Sequence, residues 1–491
     1  MFLKELLLST VGAGSLMLGG CATVPGADIA AGAPITPAEA QQGAEYHPQF
    51  LAEYGGEIEG LQGDYVERIG DAIAVQSGLA ATPEAFQVTL LNSPSPNAFA
   101  IPGGYIYVTR QLAGLLNSEA ELAAVLAHEV GHVAARHSVR RQSTAQRNQL
   151  LGVLGQVLST VVLGDSALGR VGQELSASVP QLATLSYSRE QELEADALAV
   201  AYLRDAGYDP TALADALQSL AAQNALDAAL QGRDAQMPEW ASTHPNPAGR
   251  IQNALRLAAS ERGLTESGPY LTRIDGLTWD DDPEQGIVEG YTFVHPVLRL
   301  AFEAPQGYFL LNGTQAVSIN GENGRGQFTS APYGGDLSRY VSEVFQGLGG
   351  GQNRMVPQSI QRTTVNGIPA AYGIARVASG QTPVDVVVFA YEFSNNQAYH
   401  FAVLTPAGRT EVFTPMFNSF RRISPAQAAQ VVPRRIDVVT VQRGDTVQSL
   451  AQRMAYSTAQ VERFRVLNGL EATEVLTPGE KVKIVVRSDS L

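Results

Sequence analysis

Leu122-Ala123-Ala124-Val125-Leu126-Ala127-His128-Glu129-Val130-Gly131-His132-Val133-Ala134 is the stretch that decides how the first half of the chain is read. Ser118 stands just before it with Glu121 three residues on, the start signature of a capped helix. At 100° per residue, His128 and His132 lie about 40° apart on one helical face, one turn from each other. Two imidazoles so placed can reach one tetrahedral zinc ion. Glu129 is rotated toward the same side, where it can take a proton from an activated water. His137 falls about 180° from His128 on the same wheel, so it is not the third ligand. Three polar groups inside an apolar helix need partners, which argues against two histidines merely facing solvent.

A third ligand is available about 60 residues further on. Ser188-Arg189-Glu190-Gln191-Glu192-Leu193-Glu194-Ala195-Asp196 runs into an apolar helix over 197–203. Two carboxylate pairs stand at i, i+4: Glu190 with Glu194, and Glu192 with Asp196. Spacing alone leaves open which pair faces the metal, and a solvated acidic face is the plain alternative.

Three blocks occur in a fixed order: Asn97-Ala98-Phe99 with Pro102-Gly103-Gly104, then the His128 to His137 run, then Ser188 to Asp196. Together they resemble the HtpX/BepA/Oma-type zinc metallopeptidases, relatives of the CaaX prenyl protease, over about 45% of the chain. The resemblance implies one zinc ion per chain, held by His128, His132 and Glu192. It assigns Asp196 to orienting a ligand histidine and Glu129 to general-base catalysis of peptide hydrolysis. It also covers Thr243-His244-Pro245 and Arg250-Ile251. His244 is a fourth ligand or an oxyanion stabiliser, Arg250 an oxyanion stabiliser or a brace for an acidic residue, and a structural loop is the alternative. Asn97, Ala98 and Phe99 form an edge-like segment to which an extended substrate would pair by strand addition.

The chain has 491 residues, enough for about three domains. With 45% hydrophobic and 16% charged residues it is globular, not disordered or polytopic. A net charge of −15 argues against nucleic acid as partner. The one cysteine excludes an intrachain disulfide framework and a thiolate zinc cage. It is Cys21, at the end of Leu18-Gly19-Gly20-Cys21 after a short apolar run. Residues 1–20 read as a signal peptide, and the box resembles that of bacterial lipoproteins, implying lipidation at Cys21. Ala22 after the cysteine favours the outer membrane. Residues 21–45, rich in Ala, Pro and Gly, read as a tether.

The expected metallopeptidase domain spans 46–265. Leu61, Tyr65, Ile69 and Ile73 place a helix over 60–77, and alternation places strands over 86–91 and 104–108. Asp209-Pro210 opens another helix. The apolar run from Leu150 to Leu163 is too short and interrupted to span a membrane, leaving a core helix or a flap over the cleft.

Over 270–428 the helical period gives way to strand alternation at 308–311, 316–319, 371–377, 384–393 and 397–404, with a hairpin turn at Ser394-Asn395-Asn396. A helix carrying Phe413, Phe417 and Phe420 follows. This is an α+β domain with an antiparallel sheet, similar to a PsbP/Mog-type sandwich. Its glycines at 347 and 349–351 make no phosphate fingerprint, and His295 and His400 read as structural. The tail over 436–487 resembles a βααβ LysM module, which implies glycan binding of peptidoglycan through Gly444, Asp445, Thr446, Asn468 and Gly469. A structural cap without glycan affinity is the alternative. Arg434 to Leu491 holds nine basic and seven acidic residues, so the tail is weakly basic.

The expected fold class is thus multidomain α+β: a mainly helical zincin-type domain, an antiparallel-sheet domain and a small LysM-like module. The expected function is a zinc-dependent endopeptidase of the bacterial cell envelope. It faces the periplasm, is lipid-anchored to the outer membrane, and acts on misfolded or misassembled envelope proteins. Two other classes stand beside it: a non-proteolytic chaperone or scaffold on the same fold, and a peptidoglycan hydrolase.

Overall fold

The computed structural model describes residues 32–138, 140, 187–231, 244, 247–348, 355–379 and 382–488. Cys21, the 150–163 run and Gly349 to Gly351 lie outside the described residues. Among the described residues, no helix is long and apolar enough to cross a membrane.

The chain begins with α1 (Pro37–Glu53), which occupies part of the stretch expected as a tether. Thr36 closes a capping box with Glu39, and Pro37 sits at the first helical position, so Ala/Pro composition here marks a helix start and not a linker. The Glu39 carboxylate also receives Arg136 Nε at 3.0 Å, tying α1 to the turn that follows the His128–His132 segment. Next come α2 (Leu61–Ala74), β1 (Gln87–Leu91), β2 (Ala98–Ile101) and β3 (Tyr105–Thr109). The three strands form a sheet in the order β1-β3-β2, with β1 and β3 parallel and β2 antiparallel at the edge. Asn97 lies just outside β2, its backbone N–H donating to Thr109 Oγ1 at 3.0 Å.

A short α3 (Arg110–Leu115) leads into α4 (Glu119–Ala134), the helix of the His-Glu motif. Ser118 caps it by accepting from Glu121 N, while the Glu121 carboxylate reaches one residue further back to Asn117 N. Three more helices pack around α4: α5 (Arg189–Asp205), α6 (Ala212–Gln231) and α7 (Pro247–Ala258). Asp209 does not start α6 directly. It accepts from Thr211 N and Oγ1, and the helix begins at Ala212.

The middle of the chain contains two antiparallel sheets. The smaller joins β5 (Ile287–Glu289), β6 (Thr292–His295), β7 (Leu300–Glu303) and β15 (Arg421–Arg422) in the order β15-β7-β6-β5. The larger, seven-stranded sheet runs β11-β12-β13-β14-β10-β9-β8, with β8 (Phe309–Asn312) and β9 (Val317–Gly321) at one end. Its long central hairpins, β12 (Ile368–Ser379), β13 (Thr382–Ser394) and β14 (Gln397–Pro406), match the alternating runs. Its other strands include β10 (Gly324–Ala331), Gly-rich, and β11 (Ile360–Val365), an edge with four exposed residues. Neither alternates cleanly, which is why periodicity passes over them. His400 Nδ1 lies 2.9 Å from Tyr340 OH and His295 Nδ1 accepts from Leu298 N, so both histidines have structural partners.

The last module has β16 (Arg434–Thr440), helices over Val447–Ala451 and Gln460–Leu467, and β17 (Lys481–Arg487). It is not a bead on a linker. Ser267–Ile274 is a helix whose Tyr270, Leu271 and Ile274 belong to the first core. Beyond it β4 (Thr278–Trp279) pairs with β16, so the last module shares a sheet with the start of the 270–428 stretch and an apolar core with the first region. The expected boundaries near 265–270 and 436 therefore run through a continuous interior. A module of about 50 residues buries too little of its own surface to be robust alone, and borrowing a neighbour's core relieves that.

Candidate metal centre

Helix α4 carries three groups to one point because its interior is buried on every side. His128, Glu129 and His132 are at most 2% exposed. Opposite them, α5 buries Glu192 and Asp196 completely while Glu190 and Glu194 stay exposed, so the pair that spacing left open is resolved by which face of α5 meets α4. Gly131 makes that approach possible: a Cβ there would stand 3.0 Å from the Ala195 carbonyl. His244 lies 1% exposed ahead of α7, and Arg250 on α7 is equally buried.

Ligand-type atoms of His128, His132, Glu192 and His244 all lie within 4.8 Å of one another. His128 Nε2 is 3.0 Å from His132 Nε2 and 3.2 Å from His244 Nδ1, which is itself 3.1 Å from Glu192 Oε1. Ring nitrogens this close repel unless a proton or cation lies between them. Neither oxygen of Glu129, at the same spot, has a hydrogen-bond partner among the described residues. A buried carboxylate without a hydrogen bond, its Oε1 3.6 Å from His244 Nε2, next to three convergent imidazoles fits a site built for a cation and a water. Three His nitrogens and a carboxylate suit zinc.

The surroundings hold these groups in distinct states. Asp196 Oδ1 lies 3.0 Å from His128 Nδ1, and Arg250 grips Asp196 through Nε at 2.9 Å and Nη2 at 2.7 Å. Arg250 Nη1 also meets Glu192 Oε2 at 2.6 Å. Burial raises the Glu192 carboxyl, but His244 and hydrogen bonds from His128 and His132 outweigh it and hold the group ionised far below the usual range. Asp196 is likewise lowered, burial being overcome by Arg250 and His128. Burial and Arg250 depress His128, yet Asp196 and Glu192 raise it to about 9, whereas burial drives His132 well down. Burial raises Glu129, the direction a general base needs to approach neutrality.

The remaining residues singled out in the sequence are placed as follows. Ala98 and Phe99 lie on edge strand β2, which packs on α4; the Phe99 ring stacks with Tyr107 at 4.8 Å between centroids and does not face a cleft. Gly444, Thr446 and Gly469 are exposed; Asp445 Oδ2 accepts from Gln442 N, and Thr446 caps the first LysM helix. Asn468 has a structural part to play. Its amide bonds Phe464 O, Lys483 O and Lys483 N, so it fastens helix to strand and both of its donor hydrogens are spent. His137 was set aside by the wheel, yet its ring touches His132 from behind. The chain leaves α4 at Ala134 and Arg136 turns it with φ of 50°, so the wheel no longer applies.

Comparison with known proteins converges on the same residues. The profile of peptidase family M48 matches residues 61–258, and that of the LysM domain matches 439–485. The beta-barrel assembly-enhancing protease of Yersinia pestis is 32% identical over 193 residues, covering 39% of this chain and 37% of that protein. Its counterpart in Escherichia coli strain K12 is 28% identical over 246 residues, 49% of this chain and 48% of that one. The mitochondrial metalloendopeptidase OMA1 of Schizosaccharomyces pombe is 30% identical over 207 residues, 42% and 52%. The chain thus spans between about a third and a half of these relatives' length, and the M48 match over 61–258 takes in His128, Glu129, His132, Glu192 and His244. In a multidomain α+β chain that ends in a LysM domain, residues 61–258 form a metallopeptidase domain belonging to peptidase family M48.

Proposed function

We propose that this protein is a zinc-dependent endopeptidase of the bacterial cell envelope that hydrolyses misfolded or misassembled envelope proteins. One observation carries the reading: Glu129 is buried with neither oxygen hydrogen-bonded among the described residues, its Oε1 3.6 Å from His244 Nε2, beside the His128, His132, Glu192 and His244 donors. A structural metal site has no use for such a carboxylate, whereas hydrolysis requires it.

His128, His132 and Glu192 would hold the zinc, which when bound supplies Lewis acidity toward a carbonyl and makes a water acidic near neutrality. Glu129 takes the proton of that water and delivers it to the leaving amine. Asp196 orients His128 through its Nδ1. Arg250 commits its guanidinium to Glu192 and Asp196, so it braces the acidic residues and is not the oxyanion donor. Four donors make a closed set, while hydrolysis needs one open position. His244, the donor outside the helices, would be the one to leave a position for substrate and to face the developing oxyanion.

Substrate pairs with β2. Thr109 N donates to Asn97 O, which makes Asn97 and Thr109 a hydrogen-bonded pair in the antiparallel ladder. Phe99 opposite Tyr107 and Ile101 opposite Tyr105 continue the alternation, so Ala98 and Ala100 turn their backbone groups to the outer side. Among the described residues no strand occupies that side.

Lipidation at Cys21 would tether the enzyme to the outer membrane at its periplasmic face. The LysM domain would engage peptidoglycan through the exposed loops at Gly444 to Thr446 and Gly469. The relatives' own name, beta-barrel assembly-enhancing protease, supports envelope proteins as the substrate class.

The test compares wild type with Glu129→Gln on casein, and then by proteomics of cell envelopes. Glu129→Gln should keep zinc, lose activity by at least about 100-fold, and make native substrates accumulate. Equal near-zero rates with zinc bound would favour the scaffold. Muropeptide release from purified sacculi would favour a wall hydrolase.

A further inference from the structure

The His137 ring is fully buried, and none of the chemistry above uses it. Its Nδ1 lies 2.8 Å from His132 Nδ1, and its Nε2 lies 3.1 Å from Glu194 Oε2. Two ring nitrogens at that distance must share one proton, with one ring donating and the other accepting. His132 turns its Nε2 into the donor cluster, 3.0 Å from His128 Nε2 and 3.4 Å from Glu192 Oε1. A ligating nitrogen offers a lone pair, so neutral His132 carries its proton on Nδ1 and donates to His137 Nδ1. His137 then keeps its own proton on Nε2 and donates it to the Glu194 carboxylate. Each assignment forces the next.

The relay is also held in place. Arg140 meets the two Glu194 oxygens at 3.1 and 3.2 Å. Tyr187 stacks on the His132 ring at 3.8 Å between centroids and fixes its plane. Gln191 Nε2 donates to the His137 carbonyl at 3.5 Å.

We propose that His137 and Glu194 are positioning residues that lock His132 in the tautomer and orientation that ligate through Nε2. They would do for the second motif histidine what Asp196 does for the first. The inference rests on the metallopeptidase reading, and it explains why α5 presents alternate carboxylates to two histidines: Asp196 to His128 Nδ1 and Glu194, through His137, to His132 Nδ1.

The test measures zinc affinity of the full chain by competition with a chromophoric chelator, together with the absorption spectrum of the cobalt-substituted protein. His137→Phe removes the acceptor and should weaken zinc binding by about 10- to 100-fold and shift the cobalt bands. His137→Gln keeps a carbonyl to accept from His132 and an amide to donate to Glu194, and should restore affinity to within a few-fold. Glu194→Ala changes a half-exposed side chain, so the fold survives it, and should weaken binding several-fold. Unchanged affinity in His137→Phe or in Glu194→Ala overturns the relay. Equal weakening by Phe and Gln also overturns it, because that pattern belongs to packing alone. A wild type that binds no zinc would instead overturn the metal-site reading itself.

Discussion

The ammonium of Lys483 donates to the carbonyl of Leu116 at 2.7 Å, and to those of Gly114 and Leu115 at 2.9 Å each. Lys483 belongs to the last LysM strand, and the three carbonyls close α3 just before the helix that carries His128. The lysine is fully buried, and Glu121 on the first turn of α4 supplies the facing charge. The loop at Gly444 stays exposed, whereas Gly469 lies against Asn117, where a Cβ would stand 3.3 Å from the side-chain amide, so the dock fixes the module to the peptidase and reaches one of the two loops expected for glycan.

Lys483→Met should therefore destabilise the peptidase and the LysM module together. It removes the donor that serves the Gly114 and Leu116 carbonyls and the positive charge that faces Glu121, while Leu115 O keeps Asn117 Nδ2 and Glu121 keeps Asn117 N and Ser118 Oγ, at a cost of about 2–4 kcal/mol. Calorimetry should show the first and last regions melting as one unit at a lower temperature. A separate LysM transition, unmoved by the substitution, would contradict the shared core.

Ala100→Pro probes strand addition more cleanly than a proline at Phe99. The Phe99 N–H faces Tyr107 inside the sheet, so its loss damages the fold. The Ala100 N–H faces outward, and edge strands tolerate proline there. Cleavage of an extended peptide should fall by up to about tenfold in kcat/KM, since one lost hydrogen bond is worth about 1.5 kcal/mol at its upper range, with melting unchanged. Unaltered kinetics would mean that substrate does not pair with this edge.

Much of the site was legible because it sits on two regular helices. The wheel holds from Ser118 to Ala134, so His128, Glu129 and His132 could be placed from spacing. On α5 the period narrowed the ligand to two pairs, and only the identity of the packed face separated Glu192 from Glu194. His137 was illegible because Arg136 breaks the helix, and no period survives a left-handed residue. Helix α1 was mistaken for a tether because Ala and Pro are common to linkers and to helix starts. The fusion of the LysM module with the first core left no trace in either segment, since a shared interior is a relation between faces some 150 residues apart.

Arg250→Ala should make stability depend on zinc. The guanidinium is 1% exposed and pairs with both Glu192 and Asp196. Removing it leaves two buried carboxylates without their cation, a loss of about 3–5 kcal/mol. Zinc restores positive charge next to Glu192, so added metal should recover part of the loss and a chelator should deepen it. Wild type should respond to the chelator less, because Arg250 still neutralises the cluster. Arg250→Lys should resemble Ala more than wild type, since one ammonium cannot grip both carboxylates as a planar fork does. Thermal melts with zinc and with chelator decide the matter, and equal chelator responses in wild type and Arg250→Ala would refute it.

His400 should make the sheet region acid-sensitive over a defined window. It sits on β14, in register with Ala390 on one side and Thr329 on the other, with Tyr340 OH 2.9 Å from its Nδ1. Burial lowers it from 6.5 to about 4. The unfolded chain therefore takes up a proton near pH 6.5 that the folded chain refuses until about 4. Its contribution is whole above pH 6.5, drains away as pH falls toward 4, and changes no further below that. The shift corresponds to at most about 3 kcal/mol. His295 is depressed by burial in the same direction, so the background slope has the same sign. His400→Gln keeps an acceptor for the Tyr340 hydroxyl and removes the titration. In urea unfolding at stepped pH, wild type should lose stability relative to His400→Gln between pH 6.5 and 4, and the difference should level off below 4. Parallel curves would mean that His400 accepts its proton in the folded sheet, with the Tyr340 hydroxyl turning from donor to acceptor.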